Sequence, residues 1–342
     1  MNKVFYHGDN NIVHKLTFGL PGSGISSIMK KEILNVVNNT KDDNIIVIDV
    51  YGSQFNGIIQ KFGGAIITAK ELLGCFDKIV FESLAISDNK NYNEIFTIIV
   101  AILEDLGLDY ISPYQQSILY ETLDDMCKNS EANTISNFVQ HLQKKDNKLA
   151  SLLEILNTFV NYENYQDIAN KLNNRFVCFD IGSCRAELKS FTYLLALKMT
   201  KDKIWNNANK RIYTCLFSQI DNTLLSEGNC NYLLCLYKRM RQYWGISSLY
   251  TAKFSTFTNN YILTGLLNNT NKFIFLKQNH DDIDKLSLYF TIPDAYLHFL
   301  KHANAGQGIC TDGIQYDYVN YIHDFVNENY ENNCKEENFE TF

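Results

Sequence analysis

Long apolar runs are missing from this chain. No stretch approaches the length that spans a bilayer, and the N-terminus lacks the charged-then-apolar order of a signal segment. The sequence therefore predicts a cytoplasmic protein without a membrane span. Metal-type cysteine pairs are missing too: the nine cysteines, an odd number, are scattered without C-x-x-C spacing. That excludes a zinc ribbon or a disulfide framework and predicts buried or free thiols in a reducing cytosol. Positive charge is short. Lys and Arg number 31 against 38 Asp and Glu, a net charge of -7, which argues against a general grip on nucleic acid. No G-x-S-x-G elbow occurs, and His7, His14, His141, His280, His298, His302 and His323 show no H-E-x-x-H spacing. His298 and His302 fall on one presumed helix face, with no acid or third ligand near them in sequence. The three prolines, with many Asn, Lys, Ile and Tyr residues, are a matter of composition and carry no functional message.

What is present is an ordinary globular chain. Its 342 residues, 46% of them hydrophobic, can bury a large core as one elaborated α/β domain or one domain with an insert. The aromatic residues are spread along the chain and read as core.

One stretch organises the rest: Phe18-Gly19-Leu20-Pro21-Gly22-Ser23-Gly24-Ile25-Ser26-Ser27. It follows a short apolar run, Leu16 to Phe18, and opens a helix expected over Ser26 to Asn38. Gly19, Gly24 and Ser26 stand at phosphate-loop spacing. In such a loop, backbone N–H groups and the helix N-terminus hold the phosphates, while a lysine carries charge to them. Here the lysine position is Ile25. A Gly-rich run alone is only a flexible turn. With a strand before it, a helix after it and a second strand ending in an acid (Ile45 to Asp49), it reads as the strand–loop–helix–strand opening of a P-loop fold.

Further along, Phe55 to Phe62 reads as helix, Gly63-Gly64 as a break, Ala65 to Ile67 as strand and Lys78 to Phe81 as another strand. From Tyr92 to Leu172, apolar residues recur at helical spacing: Ile95-Ile98-Ile99-Ile102, then Ile118-Leu119-Leu123-Met126, Ile135-Phe138-Val139-Leu142 and Leu149-Leu152-Leu153-Leu156. Ser112-Pro113 and Thr134 look like helix starts. This predicts an all-helical insertion over 92–172 within an α/β domain formed by 1–91 and 173–330. Strands at Phe176–Asp180, Ile212–Ser218, Ser248–Thr251 and Lys272–Leu276 alternate with helices at Glu187–Trp205, Asn229–Tyr243 and Thr256–Leu267. Two more helices, Ile283–Phe290 and Asp294–Lys301, precede a hairpin around Asp312-Gly313. Such alternation predicts a mostly parallel sheet with helices on both faces. Residues 331–342 are expected to form a disordered tail.

The order of these segments resembles the C-terminal ATPase domain of the conjugative type IV secretion ATPases. The likeness rests on Phe18 to Lys31 with the Lys31-Glu32 pair, Ile46 to Ser53, Gly63 to Ile67, Phe179-Asp180-Ile181, Lys238 to Gly245, Phe275 to Gln278 and Gly306-Gln307-Gly308. It spans residues 15–320. It implies a RecA-like P-loop NTPase fold and a nucleotide site at Gly19, Pro21, Gly22, Ser23, Gly24, Ser26 and Ser27, with Ser26 as magnesium ligand. It also implies a trans-acting arginine at Arg239 or Arg241, a homo- or hetero-hexamer, and protein partners at a secretion or conjugation channel, placing the chain at the inner face of the membrane through those partners. The bland reading of the two arginines is a basic helix end favoured by the helix dipole. For Asp49 and Asp180 the alternatives are a site at the sheet's carboxyl edge and strand-end caps of the next turn.

The departures from the family pattern surround one site. Ile25 replaces the lysine, Gln219 and Ile220 stand where an Asp-Glu pair is expected, and Ala252 replaces a glutamine. Tyr51 and Ser53 replace acids. A shift of register by a residue or two leaves Asp221 as the sole nearby acid. Phosphoryl transfer depends on positioning and charge, so losing these groups predicts negligible hydrolysis, with ATP and magnesium held weakly or not at all. Lys30 and Lys31 lie more than a turn along the helix. Lys253 is the candidate substitute cation. Two functions follow as expectations: a scaffolding or assembly subunit of a conjugative system, a pseudoenzyme; or a nucleotide-binding ATPase or switch that keeps weak ATP binding.

Overall fold

A computed structural model of the chain describes residues 13–81, 89–108, 110–128, 134–154, 165–210, 212–220, 224 and 226–321. The phosphate-loop stretch lies between strand β1 (Lys15–Phe18) and helix α1 (Ile25–Asn39), as its pattern predicts. Next come β2 (Asn44–Asp49), α2 (Asn56–Lys61), β3 (Ala65–Thr68), α3 (Ala69–Gly74) and α4 (Phe76–Phe81). Helices follow: α5 (Asn89–Asp105), α6 (Pro113–Lys128), α7 (Ile135–Gln143), α8 (Asn147–Glu154) and α9 (Tyr165–Leu172). The chain continues through β4 (Phe176–Asp180), α10 (Ala186–Asn207), β5 (Thr214–Ile220), α11 (Glu227–Met240) and β6 (Gly245–Thr251). It ends in α12 (Phe254–Thr258), α13 (Tyr261–Leu267), β7 (Lys272–Leu276), α14 (His280–Tyr289), α15 (Asp294–His302), β8 (Gln307–Thr311) and β9 (Tyr316–Asn320).

Three expectations need correction. Lys78 to Phe81 lies in helix α4, not in a strand. A run that short has no periodicity to tell the two apart, and the Asp77 carboxylate, buried, accepts the Ile135 N–H at 2.7 Å, a contact 58 residues away. Thr256 to Leu267 is not one helix: Asn260 starts α13 anew, its side chain accepting from the Ile262 and Leu263 N–H groups. The helix over Asn229–Tyr243 ends as an α-helix at Met240, and a 3₁₀ turn, Arg241–Tyr243, leads to Trp244 at φ 62°. The expected tail and Asp221 lie outside the described residues.

The chain forms two compact units, Met1–Thr40 with Ser247–Phe342, and Lys41–Ile246. In the second unit the strand order is β3-β4-β2-β5, every pair parallel. The side chains of β4 and β5 are all buried, as their near-continuous apolar sequences require. Glu94 of α5 ties two other helices of this unit together. It pairs with Lys201 at 2.5 Å, lies 4.0 Å from Lys198, both on α10, and accepts from the Tyr232 hydroxyl of α11 at 2.6 Å. The α5–α11 crossing is close enough that a Cβ on Gly228 would run into Ala101.

In the first unit the order is β6-β1-β7-β8-β9, with β6, β1 and β7 parallel and β8 and β9 antiparallel. The predicted hairpin is there. Asp312 accepts from the Ile314 and Gln315 N–H groups, and Gly313 takes φ 95°. Phe18, at the end of β1, is fully buried against Phe254, Phe257 and Phe275, with centroids 5.1–5.6 Å away. Below it lies a buried charge cluster. Glu32 on α1 is paired with Lys15 on β1 and accepts from the Tyr250 hydroxyl of β6. Lys31, next to Glu32 in the sequence, sits over the Tyr321 ring.

Removing one member of a buried ion pair leaves an uncompensated charge, at about 3–5 kcal/mol. Lys15→Met should destabilise the protein by about that much in urea unfolding. The double variant Lys15→Met/Glu32→Gln, which keeps an acceptor for Tyr250, should recover most of the loss; no recovery would show that the charge was not the cause.

Glu94 gives a pH signature. Burial pushes its carboxyl up, but Lys198, Lys201 and the Tyr232 hydroxyl outweigh that and hold it below the usual 4.5. A depressed carboxyl stabilises the fold fully above its unfolded pKa and loses that contribution as pH falls. Glu94→Gln should therefore cost about 1–3 kcal/mol at neutral pH. The gap to the unmodified protein should close as pH drops below 4.5. A gap that persists in acid contradicts this assignment.

Candidate functional site

In the first unit the loop from Gly19 to Gly24 is held on three sides by main-chain bonds. The Gly19 N–H donates to the Thr251 carbonyl at the end of β6, and the Leu20 N–H to the Lys277 carbonyl after β7, each at 3.1 Å. From the third side, the Gly306 N–H donates to the Ser23 carbonyl at 2.7 Å. Inside the loop, the Ser23 N–H returns to the Leu20 carbonyl at 2.9 Å. The turn requires positive φ at Gly22 (81°) and Gly24 (99°), where a side chain is strained. Gly24 is also pinned by contact: a Cβ there would lie 2.9 Å from the Gly306 nitrogen.

Gly24 is the N-cap of α1, and the first helical bond runs from the Ile28 N–H to the Gly24 carbonyl at 3.0 Å. The N–H groups of Ile25, Ser26 and Ser27 thus have no acceptor within the helix, and no acid stands in its first turn. This is an anion cradle with the helix dipole behind it. Ser23 adds a hydroxyl that is buried and has no partner among the described residues; a Cβ on Gly19 would strike it. Gly19, Pro21, Gly22, Ser23, Gly24, Ser26 and Ser27 therefore share one loop and helix start. Main-chain donors fit phosphate oxygens, and the Ser26 hydroxyl fits a magnesium ligand. At Ile25 the fit ends. Its apolar side chain, half-buried at the first helical position, offers no charge to a polyanion. Ala252 follows β6 and is half-buried; Lys253 beside it is exposed.

In the second unit Asp49 and Asp180 are partners in register at the ends of β2 and β4. Both act as caps. Asp49 accepts from the N–H groups of Tyr51, Gly52 and Gln54 at 2.8–3.1 Å. Asp180 accepts from the Ser53 N–H at 3.1 Å and the Asn56 side chain at 3.3 Å. Burial raises the Asp49 carboxyl; the three N–H bonds oppose this, and Asp180 adds to it. Gln219, buried near the end of β5, donates to the Gln54 side chain at 3.3 Å, and Ile220 is buried beside it. Neither carries charge. Arg239 lies in the last turn of α11 and Arg241 in the 3₁₀ turn beyond, both exposed.

Other chemistry is thin. His298 and His302 share a face of α15, ring centroids 4.8 Å apart, and no group of three or more potential metal ligands occurs among the described residues. The seven described cysteines are free thiols, and burial pushes Cys75 up to about 11. Among the described residues no helix is long and apolar enough to cross a membrane. Sequence reasoning missed two features of the loop, the Gly306 contact and the Lys277 carbonyl. Only the Gly306-Gln307-Gly308 turn gave any signal for them.

No family model matches the chain, and no curated protein matches it in sequence. Solved structures match it in fold. The structure of VirB4 of Thermoanaerobacter pseudethanolicus aligns with a TM-score of 0.74 at 16% identity, covering 92% of this chain and 91% of that one. The unbound monoclinic form of the bacterial conjugative coupling protein TrwBdeltaN70 aligns at 0.56 and 10% identity, covering 89% and 83%. The plasmid coupling protein TrwB in complex with the ATP analogue ADPNP aligns at 0.55 and 11%, covering 90% and 78%. The chain carries an α/β, RecA-like P-loop fold, the one seen in VirB4 and TrwB.

Proposed function

We propose that this chain is a catalytically impaired P-loop ATPase-like component of a conjugative DNA-transfer (type IV secretion) system, acting as an assembly or scaffolding subunit. One observation carries the reading: an apolar side chain, Ile25, stands at the first helical position of a phosphate cradle whose main chain is in order. Isoleucine leaves a polyanion's charge unmatched. Gln219, Ile220 and Ala252 remove further groups that the resemblance assigns to metal, water and sensing. Each electrostatic group lost from such a site typically costs about 2.7–4 kcal/mol of barrier. Such losses do not add, yet two or three of them leave hydrolysis negligible. The subunit would then work by docking to protein partners of a channel, in a homo- or hetero-hexamer, peripheral to the membrane through those partners. The helices over 92–172 would be an insertion into the ATPase-like domain, and Arg239 or Arg241 would serve a neighbouring subunit's nucleotide.

A second reading has its own support. The N–H groups of Ile25, Ser26 and Ser27 still face an anion position, so the cup can hold ATP weakly and act as a switch without turnover. TrwB is known in complex with ADP and Mg2+, which makes these the ligands to try.

The test is turnover beside binding. The unmodified chain should release no phosphate above background with ATP and magnesium. A charged donor restored by Ile25→Lys should tighten binding of a fluorescent ATP analogue by about ten- to a hundredfold, the equivalent of about 1.5–3 kcal/mol for a charged hydrogen bond. Clear magnesium-dependent hydrolysis by the unmodified chain overturns the impaired-enzyme reading.

A further inference from the structure

Two lysines of the same compact unit stand beside the loop whose helix start carries Ile25. The loop is bonded to both strands that flank β1, and each of those strands hands on to a lysine beside it. Lys277 is the residue whose carbonyl takes the Leu20 N–H at 3.1 Å. Lys253 lies two residues past Thr251, whose carbonyl takes the Gly19 N–H at 3.1 Å. Both lysines are exposed, and neither has a salt bridge or a side-chain hydrogen bond among the described residues. Other lysines of this unit are committed: Lys15 to Glu32, Lys31 to the Tyr321 ring, Lys285 to the Asn259 side chain. The nearest buried acid in the sequence, Asp282, is held by other donors, its carboxylate accepting the Ser255 N–H at 2.8 Å, and pairs with neither lysine. Inside the loop, the Ser23 hydroxyl is buried and has no partner among the described residues.

We propose that Lys253 and Lys277 are the cations of this phosphate cup, meeting the oxygens of a di- or triphosphate from β6 and β7 in place of the side chain at position 25. A lysine is a flexible point charge on a four-carbon stem, suited to reaching a phosphate from a neighbouring strand. The inference rests on the second reading above, in which the cup binds nucleotide, and names the residues that make such binding possible. It also separates binding from catalysis. The two lysines approach from the rim and neutralise the anion, while the acids needed for hydrolysis stay absent.

The test is calorimetric titration of the whole chain with ATP and with pyrophosphate, each with magnesium. Lys253→Ala and Lys277→Ala should each weaken binding about tenfold and the double variant about a hundredfold. Lys277→Arg should retain binding, and Ile25→Lys added to the double variant should restore it. Because both side chains are exposed, thermal unfolding of all variants should match the unmodified chain. If the double variant binds as tightly as the unmodified chain, the lysines are idle and this inference falls while the nucleotide reading stands. If the unmodified chain binds neither probe, both fall together.

Discussion

The constraint on which the first unit depends is the close approach of two backbones, Gly24 against Gly306, with the Gly306 N–H bonded to the Ser23 carbonyl at 2.7 Å. It forces Gly24 to have no side chain and settles the angle at which the chain enters α1. The bonds to Thr251 and Lys277 complete the brace, and Phe18 packs the end of β1 into an aromatic cluster just beneath it. A loop held this way keeps the first N–H groups of α1 in place without a ligand. The cradle is therefore a property of the fold and does not need the side chain at position 25 to exist.

The buried charges serve architecture more than chemistry. Glu32, with its partners on β1 and β6, clamps the strand before the loop to the helix after it. In the second unit Asp49 and Asp180 organise the 51–54 turn, each engaged by main-chain donors. The capping reading of these two aspartates is the one their hydrogen bonds support. What the fold lacks, at Ile25, Gln219, Ile220 and Ala252, is free charge at the positions that the resemblance assigns to hydrolysis. On the proposed reading, the head of α1 is suited to holding an anion and ill-suited to splitting one.

The strands and helices were legible in the sequence where their signals are local. Ile45 to Ile48 is a continuous β-branched run, α1 repeats its apolar residues at i and i+4, and Thr134 and Ser112 cap the helices they precede. Reading failed where the decisive contact is distant or the run is short. Lys78 to Phe81 has too few residues to show a period. Nothing local to Glu32 shows that the fold brings Lys15, 17 residues earlier, against it. Gly306 touches the loop from nearly three hundred residues away, and Lys277 reaches it through a carbonyl, an atom every residue carries. Only the Gly306-Gln307-Gly308 turn shows in the sequence, and nothing in it says what the turn touches.

On the proposed reading, the head of α1 holds a phosphate chain and does not hydrolyse it. Amide hydrogen exchange over residues 19–28, with and without ATP and magnesium, is the decisive experiment. Exchange at Ile25, Ser26 and Ser27 should slow on adding ATP, and the same sample should contain intact ATP at the end. Unchanged exchange at those amides, or conversion of the ATP to ADP, would overturn that reading.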